Sequence, residues 1–167
     1  MTQTAINYAK VLYELGISKN MVEEAEKIMS SVPELKGILE NPTVSKQKKH
    51  NIIEKVFPKE MHNFFKVLSD YQSIEETDDI FAAYKKYYNE KNGILEARLS
   101  YVTAPGTEQL EGIRTFLMNK YHKKKVDLML TEDPTIVGGF IIQVENYVTD
   151  WSTRGRLNQL QQKLVRR

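Results

Sequence analysis

Through the first ninety or so positions the apolar residues fall at three- and four-residue steps, the period of a helix with one buried face. Ala5, Tyr8, Ala9, Leu12 and Leu15 mark a first helix over residues 4–15, with Gly16 placed to end it. Asn20 followed by Glu23 reads as a capping pair for a second helix carrying Val22, Ala25, Ile28, Met29 and Val32, which Pro33 stops. A short third helix over 34–39 is broken at Asn41-Pro42, because the residue before a proline is pushed out of the helical region. Ser45 is placed to cap a fourth helix with Ile52, Ile53 and Val56, and Phe57-Pro58 punctuates again. Met61, Phe64, Phe65, Leu68 and Tyr71 form a fifth stripe. Ile74, Thr77, Phe81, Tyr84 and Tyr88 form a sixth, ending near Asn92-Gly93.

The period then changes. Leu95, Ala97, Leu99 and Tyr101 alternate with Glu96, Arg98 and Ser100, the two-residue repeat of a half-buried strand, which Ala104-Pro105-Gly106 closes. Thr107 is placed to cap a helix with Leu110, Ile113, Leu117 and Tyr121 on one face. Val126, Leu128 and Leu130 give a second strand, and Phe140, Ile142 and Val144 a third. Asn146-Tyr147 reads as a turn into a short segment at 148–150, and Leu157, Leu160 and Leu164 carry a final helix. The pattern therefore predicts a mainly α protein: an N-terminal six-helix bundle over 1–92, then a small α/β domain over 93–167.

Composition narrows the chemistry. With 167 residues and 41% hydrophobic content, the chain can build a packed core. The 24 Lys and Arg nearly balance the 22 Asp and Glu, so the net charge of +2 demands no nucleic-acid partner. The absence of cysteine removes disulfides, thiolate nucleophiles and Cys-ligated metals. The start lacks a basic region followed by an apolar core, and no run of about 18 apolar residues occurs, so a soluble protein is expected, touching a membrane only through partners.

The candidate sites read mostly as architecture. Gly138-Gly139 lacks the following Gly-Lys-Ser/Thr of a phosphate loop and the Gly-x-Gly-x-x-Gly of a dinucleotide fold, so a turn or a close backbone approach is expected, with no cofactor. His50, His62 and His122 are scattered without an i, i+4 partner for a metal. Glu75-Glu76 and Asp78-Asp79 sit at a helix start, where the macrodipole favours negative charge. Lys46, Lys48, Lys49 and His50, and the run Lys123-Lys124-Lys125, are basic clusters in a chain whose acids compensate them. Tyr84, Tyr87 and Tyr88 read as packing. Trp151 reads as buried, with an interface anchor as the second reading. Asp150 and Ser152, just ahead of the last helix, are cap candidates. No nucleophile and base are paired for catalysis.

The stretch from Asp133-Pro134-Thr135-Ile136-Val137-Gly138-Gly139-Phe140 to Asp150-Trp151-Ser152-Thr153-Arg154-Gly155-Arg156-Leu157 closely resembles the signature of the delta subunit of F-type ATP synthases, the oligomycin-sensitivity-conferring protein family. Earlier patches match in the family's order: Ala5-Ile6-Asn7-Tyr8-Ala9-Lys10, Leu12-Tyr13-Glu14-Leu15, Asn41-Pro42 with Ser45 and Lys48, Phe64-Phe65-Lys66-Val67-Leu68, and Val102-Thr103-Ala104-Pro105. The chain departs from the pattern at Glu145-Asn146-Tyr147, where the family usually has Gly-Asp-Lys, at Trp151, where Gly is common, and at Gln72-Ser73, where Gly-Arg is frequent.

The resemblance implies a non-catalytic stator subunit of the proton-translocating F1Fo synthase, in the F1 sector on the cytoplasmic face of the plasma membrane if bacterial. It implies that residues 1–92 bind alpha-subunit N-terminal helices, with Tyr8, Leu12, Phe64 and Leu68 lining a groove between the first and fifth helices. It also implies that 93–167 hold the b subunits of the peripheral stalk, with Gly138, Gly139, Asp150, Ser152, Arg154, Leu157 and Leu160 as stalk-binding or structural residues. The competing reading is a helical adaptor or regulator outside the synthase.

Overall fold

A computed structural model describes residues 2–165, without the side chains of 158–160 and 163–165 in its last helix. The chain is mainly helical, with eight α-helices among the described residues and a four-stranded sheet towards the C-terminus. It divides into two compact units, Met1–Tyr88 and Asn89–Arg167.

In the first unit, α1 (Gln3–Glu14), α2 (Lys19–Ser31), α3 (Pro33–Glu40), α4 (Lys46–Val56), α5 (His62–Asp70) and most of α6 (Thr77–Asn92) follow one another, with 3-10 turns at Lys59–Met61 and Ile74–Glu76. Their apolar stripes meet in one core, in which Leu12, Leu39, Ile53, Met61, Phe65, Leu68, Ile74 and Ile80 are fully buried. Phe65 organises its aromatic part, stacked on Phe57 at 3.9 Å between ring centres and edge-on to Phe64 and Phe81.

In this unit two of the predicted helix starts are corrected. Asn20 lies inside α2; the amides of Met21 and Val22 already bond the Ser18 carbonyl, which makes Ser18 the N-cap. Pro33 not only ends α2 but opens α3, a position where its missing N–H costs nothing. Ser45 does occupy the N-cap of α4, although its side chain makes no cap bond there.

The second unit carries β1 (Ile94–Tyr101), α7 (Thr107–Tyr121), β2 (Lys125–Glu132), β3 (Phe140–Val144), β4 (Tyr147–Asp150) and α8 (Thr153–Val165). The sheet order is β2-β1-β3-β4: β1 and β2 are parallel through the α7 crossover, and β3 and β4 are antiparallel additions. Leu95, Ala97 and Leu99 turn inward from β1 to meet Ile113 and Leu117 of α7, Val126, Ile142 and Val144. Thr107 is the first residue of α7 rather than its cap; Gly106 holds the N-cap, its amide donating to Gln109 Oε1 at 3.1 Å. The β3–β4 loop is Glu145-Asn146, one residue earlier than expected, because Val144 and Tyr147 are already paired across the hairpin.

Candidate functional site

The C-terminal signature forms one corner in which β3 begins and β4 hands over to α8. Gly138 and Gly139 both take positive φ, +69° and +81°. A Cβ on Gly139 would lie 2.5 Å from the Trp151 carbonyl oxygen and 2.9 Å from Ser152 Cα, so only glycine lets these two strands of backbone pass. The approach is fixed by the Trp151 amide donating to the Phe140 carbonyl at 3.0 Å and the Thr153 amide to the Gly138 carbonyl at 3.1 Å.

The cap of α8 is built on the same corner. Asp150 Oδ1 accepts the Ser152 amide at 2.8 Å, and the buried Ser152 Oγ accepts the Gly155 amide at 3.0 Å. Upstream, Asp133 repeats the device: its Oδ1 accepts both the Thr135 amide at 3.0 Å and the Thr135 hydroxyl at 2.6 Å. The hydroxyl bond, then the amide bond, holds the Asp133 carboxyl below its ordinary pKa.

Gly138, Gly139, Asp150 and Ser152 are thus brought together, bonding to one another's segments. Arg154 and Leu157 stand exposed on α8. The side chains of Leu160 and Leu164 lie outside the described residues. Trp151 is half-buried, its ring 5.3 Å from Phe140 and 5.5 Å from the exposed Phe116 of α7. These three rings line a groove of about 290 Å³ with Pro105, Gln109, Gly112 and Ile113. Sequence reasoning passed over this groove, although Gln109, Gly112, Phe116 and Lys120 share the three- and four-residue spacing of one face of α7.

In the first unit, Tyr8 and Phe64 meet edge-to-face at 6.3 Å, joining α1 directly to α5. Leu12, Phe64 and Leu68 are buried in the core; Tyr8 is half-buried against it. The apolar side chains these helices leave exposed are Val11 and Leu15 at α1 and Val67 and Tyr71 at α5. The basic cluster on α4 is partly neutralised: Lys46 and His50 share Asp70 at 3.6 and 3.2 Å. His62 bonds the Phe57 carbonyl at 2.8 Å, and His122 ends α7 in the left-handed conformation. Tyr84, Tyr87 and Tyr88 form an aromatic cluster around α6: Tyr13 lies edge-on to Tyr87 and Tyr88 at 5.3 and 6.0 Å, and Tyr84 lies 5.9 Å from Tyr88. Burial raises the Tyr84 pKa. Among the described residues no group of three His, Cys, Asp or Glu could hold a metal, and no helix is long and apolar enough to cross a membrane.

The model of the ATP synthase delta (OSCP) subunit family matches residues 4–164. The chain belongs to that family. It is 31% identical to the ATP synthase subunit delta of Clostridioides difficile (strain 630), across 96% of this chain and 94% of that protein. It is 30% identical to the ATP synthase subunit delta of Flavobacterium psychrophilum, across 98% and 97%. A chain in the cryo-EM structure of the Toxoplasma gondii mitochondrial ATP synthase hexamer shares the fold, with a TM-score of 0.67 at 17% identity over 99% of this chain and 98% of that one.

Proposed function

We infer that this protein is a stator subunit of an F1Fo proton-translocating ATP synthase, tying the alpha/beta head to the peripheral stalk. The observation that carries the reading is the end-to-end family match over residues 4–164. The role is mechanical and non-catalytic. The central stalk exerts torque on the head as it rotates, and without a fixed tether the head turns with it. The work of the subunit is to stay bound, as a peripheral part of the F1 sector, at the cytoplasmic face of the plasma membrane if the source is bacterial.

The two units divide that task. The N-terminal unit, a six-helix bundle, takes alpha-subunit N-terminal helices along α1 and α5. On these helices Leu12, Phe64 and Leu68 are buried in the core, Tyr8 is half-buried against it, and Val11 and Val67 are exposed. The C-terminal unit holds the b subunits. An amphipathic helix that buries four or five large apolar side chains gains roughly 1.5–3 kcal/mol from each before ordering costs. Four or five such side chains supply about 6–15 kcal/mol gross, against about 12 kcal/mol net for nanomolar binding, so only the upper end of that range lets a single helix approach it.

Co-purification tests this. Tagged full-length protein drawn from detergent-solubilised membranes should bring down alpha and b. A version ending at residue 92 should keep alpha and lose b. Recovery of neither subunit with the full chain would end the stator reading, and full recovery of b by residues 1–92 would reverse the assignment of the two surfaces.

A further inference from the structure

The long edge of the sheet carries a pattern that pairs with itself. β2 spans eight residues, Lys125–Glu132, and ends the sheet: β1 lies on one side of it, and among the described residues no strand lies on the other. The Lys125 and Asp133 amides donate to the Gly93 and Tyr101 carbonyls on the β1 side. Ladder bonds alternate along a strand, so the odd-numbered residues face β1. Val126, Leu128, Leu130 and Glu132 therefore turn their N–H and C=O groups to the open edge. Edges of this kind are commonly kept short, bulged or interrupted by proline. This one holds unbroken register along all eight residues, contains no proline, and exposes Met129 (55%) and Leu130 (45%) near its middle.

An open edge offers bonds to any extended chain; its side chains decide which one fits. Two antiparallel copies of β2 lying side by side are related by a twofold axis normal to the sheet, which carries each face onto the same face of the copy. Residues opposite one another must share a face, so the axis passes between two like residues. Centred on Asp127, the pairing sets that carboxylate against its own copy; centred on Leu130, it sets Asp127 against Asp133. Centred on Leu128, it sets Asp127 against the apolar Met129. Centred on Met129, it brings Met129 to Met129, Leu128 to Leu130, Lys125 to Asp133 and Asp127 to Thr131. In that register each outward amide and carbonyl of Val126, Leu128, Leu130 and Glu132 finds a partner on the copy.

We propose that β2 is a self-association surface whose occupant is β2 of a second copy of this chain, antiparallel and centred on Met129, so that two four-stranded sheets become one. Like apolar residues meet at the centre and opposite charges at both ends. The pairing is a property of the free chain and does not depend on the stator reading.

Because the chain has no cysteine, a single introduced thiol reports one register. Met129 faces its copy at a non-hydrogen-bonded pair, where Cα atoms stand about 4.5 Å apart, inside the range a disulfide spans. Met129→Cys of the full chain, held at about 100 μM with oxidised glutathione, should give a covalent dimer. The two thiols lose their protons and two electrons to the glutathione disulfide, which leaves as two reduced glutathiones. Leu128→Cys should not link, because Leu128 of one copy stands two residues from Leu128 of the other. Sedimentation equilibrium of the parent should show monomer and dimer exchanging with a Kd of about 1–100 μM, the strength of a small interface. Leu130→Pro removes an amide that faces the open edge and none that bonds β1, so the chain should keep its circular dichroism and sediment as monomer. Lys125→Glu sets like charges at both ends and should weaken the dimer several-fold at low salt.

A parent that stays monomeric up to about 1 mM overturns the proposal, as does a dimer that Leu130→Pro leaves intact. If Leu130→Pro fails to fold, the crosslink decides: Met129→Cys linking no faster than Tyr71→Cys, an exposed position in the N-terminal unit, overturns the pairing. Linking by Leu128→Cys and not by Met129→Cys overturns the register and moves the axis to Leu128.

Discussion

The carboxyl carbon of Asp150 lies 2.5 Å from where a Cβ on Gly155 would stand, so the side chain of one residue occupies the space the other leaves empty. Both belong to the α8 cap through Ser152, which receives one bond and gives the other. Gly155→Ala should therefore expel the Asp150 carboxylate from its bond to the Ser152 amide and cost about 1–3 kcal/mol, the usual range for overpacking. Asp150→Ala removes the clash, so the double variant should be more stable than the two single costs add up to. Urea unfolding of the four proteins measures this, and simple additivity would show that the pair is not coupled.

Two of the departures from the family pattern noted above coincide with positive φ. Gln72 has φ +58° and Glu145 has φ +50°, at positions where the resemblance leads one to expect glycine often or usually. Gln72 closes α5 in a Schellman arrangement, with the Ser73 amide on the Leu68 carbonyl at 2.8 Å and the Gln72 amide on the Ser69 carbonyl at 3.3 Å. Glu145 is the first of two hairpin-loop residues, a place where glycine often supplies positive φ. The left-handed conformation costs a side-chain-bearing residue roughly 1–2 kcal/mol, partly offset by glycine's greater freedom in the unfolded chain. Gln72→Gly and Glu145→Gly should each raise stability by about 0.5–1 kcal/mol, read as a higher melting temperature; a fall at either site would refute the strain there.

Asp133 should titrate below an ordinary aspartate because its ionised form accepts two bonds from Thr135. The folded pKa lies below the unfolded one, so any stability it adds is present above the unfolded pKa and is lost as pH falls through the folded value. Thr135→Val removes the hydroxyl bond, the larger cause, and keeps the amide bond, so the midpoint should rise part of the way. Carboxyl-carbon NMR in acid checks this, and coincident midpoints in the two proteins would rule out the hydroxyl as the cause.

Much of the fold was legible because burial in each element imposes one period. The stripe Ala5, Ala9 and Leu12 and the alternation Leu95, Ala97 and Leu99 are both read directly from side chains that must leave water. Helix starts were less legible. Asn20 and Thr107 have cap chemistry, but the backbone carbonyls of Ser18 and Gly106 reach the first free amides sooner. The corner at Gly139 was visible as a glycine pair, whereas its partner, the backbone at Trp151 and Ser152, is over ten residues away and leaves no local trace. The α7 groove was hidden for the opposite reason: Gly112 and Phe116 on an exposed helix face look like ordinary surface until the sheet brings Phe140 and Trp151 beside them.

Leu12 is fully buried and Tyr8 is only half so, although both sit on the core-facing side of α1. Leu12→Ala should cost about 2–5 kcal/mol of folding stability, the range for emptying a core site. Tyr8→Ala loses one edge-on contact with Phe64 and part of its own burial, so a smaller cost of about 1–2 kcal/mol is expected. If α1 and α5 receive an alpha-subunit helix, Tyr8→Ala should also weaken binding of an alpha N-terminal peptide by at least about 1 kcal/mol in the folded protein. Exposed Val11→Ser and Val67→Ser should weaken it with almost no change in melting temperature, because these side chains gain burial only when the partner arrives. Peptide affinities unchanged in all three variants would remove the groove from α1 and α5 and leave Tyr8 as a core-edge residue.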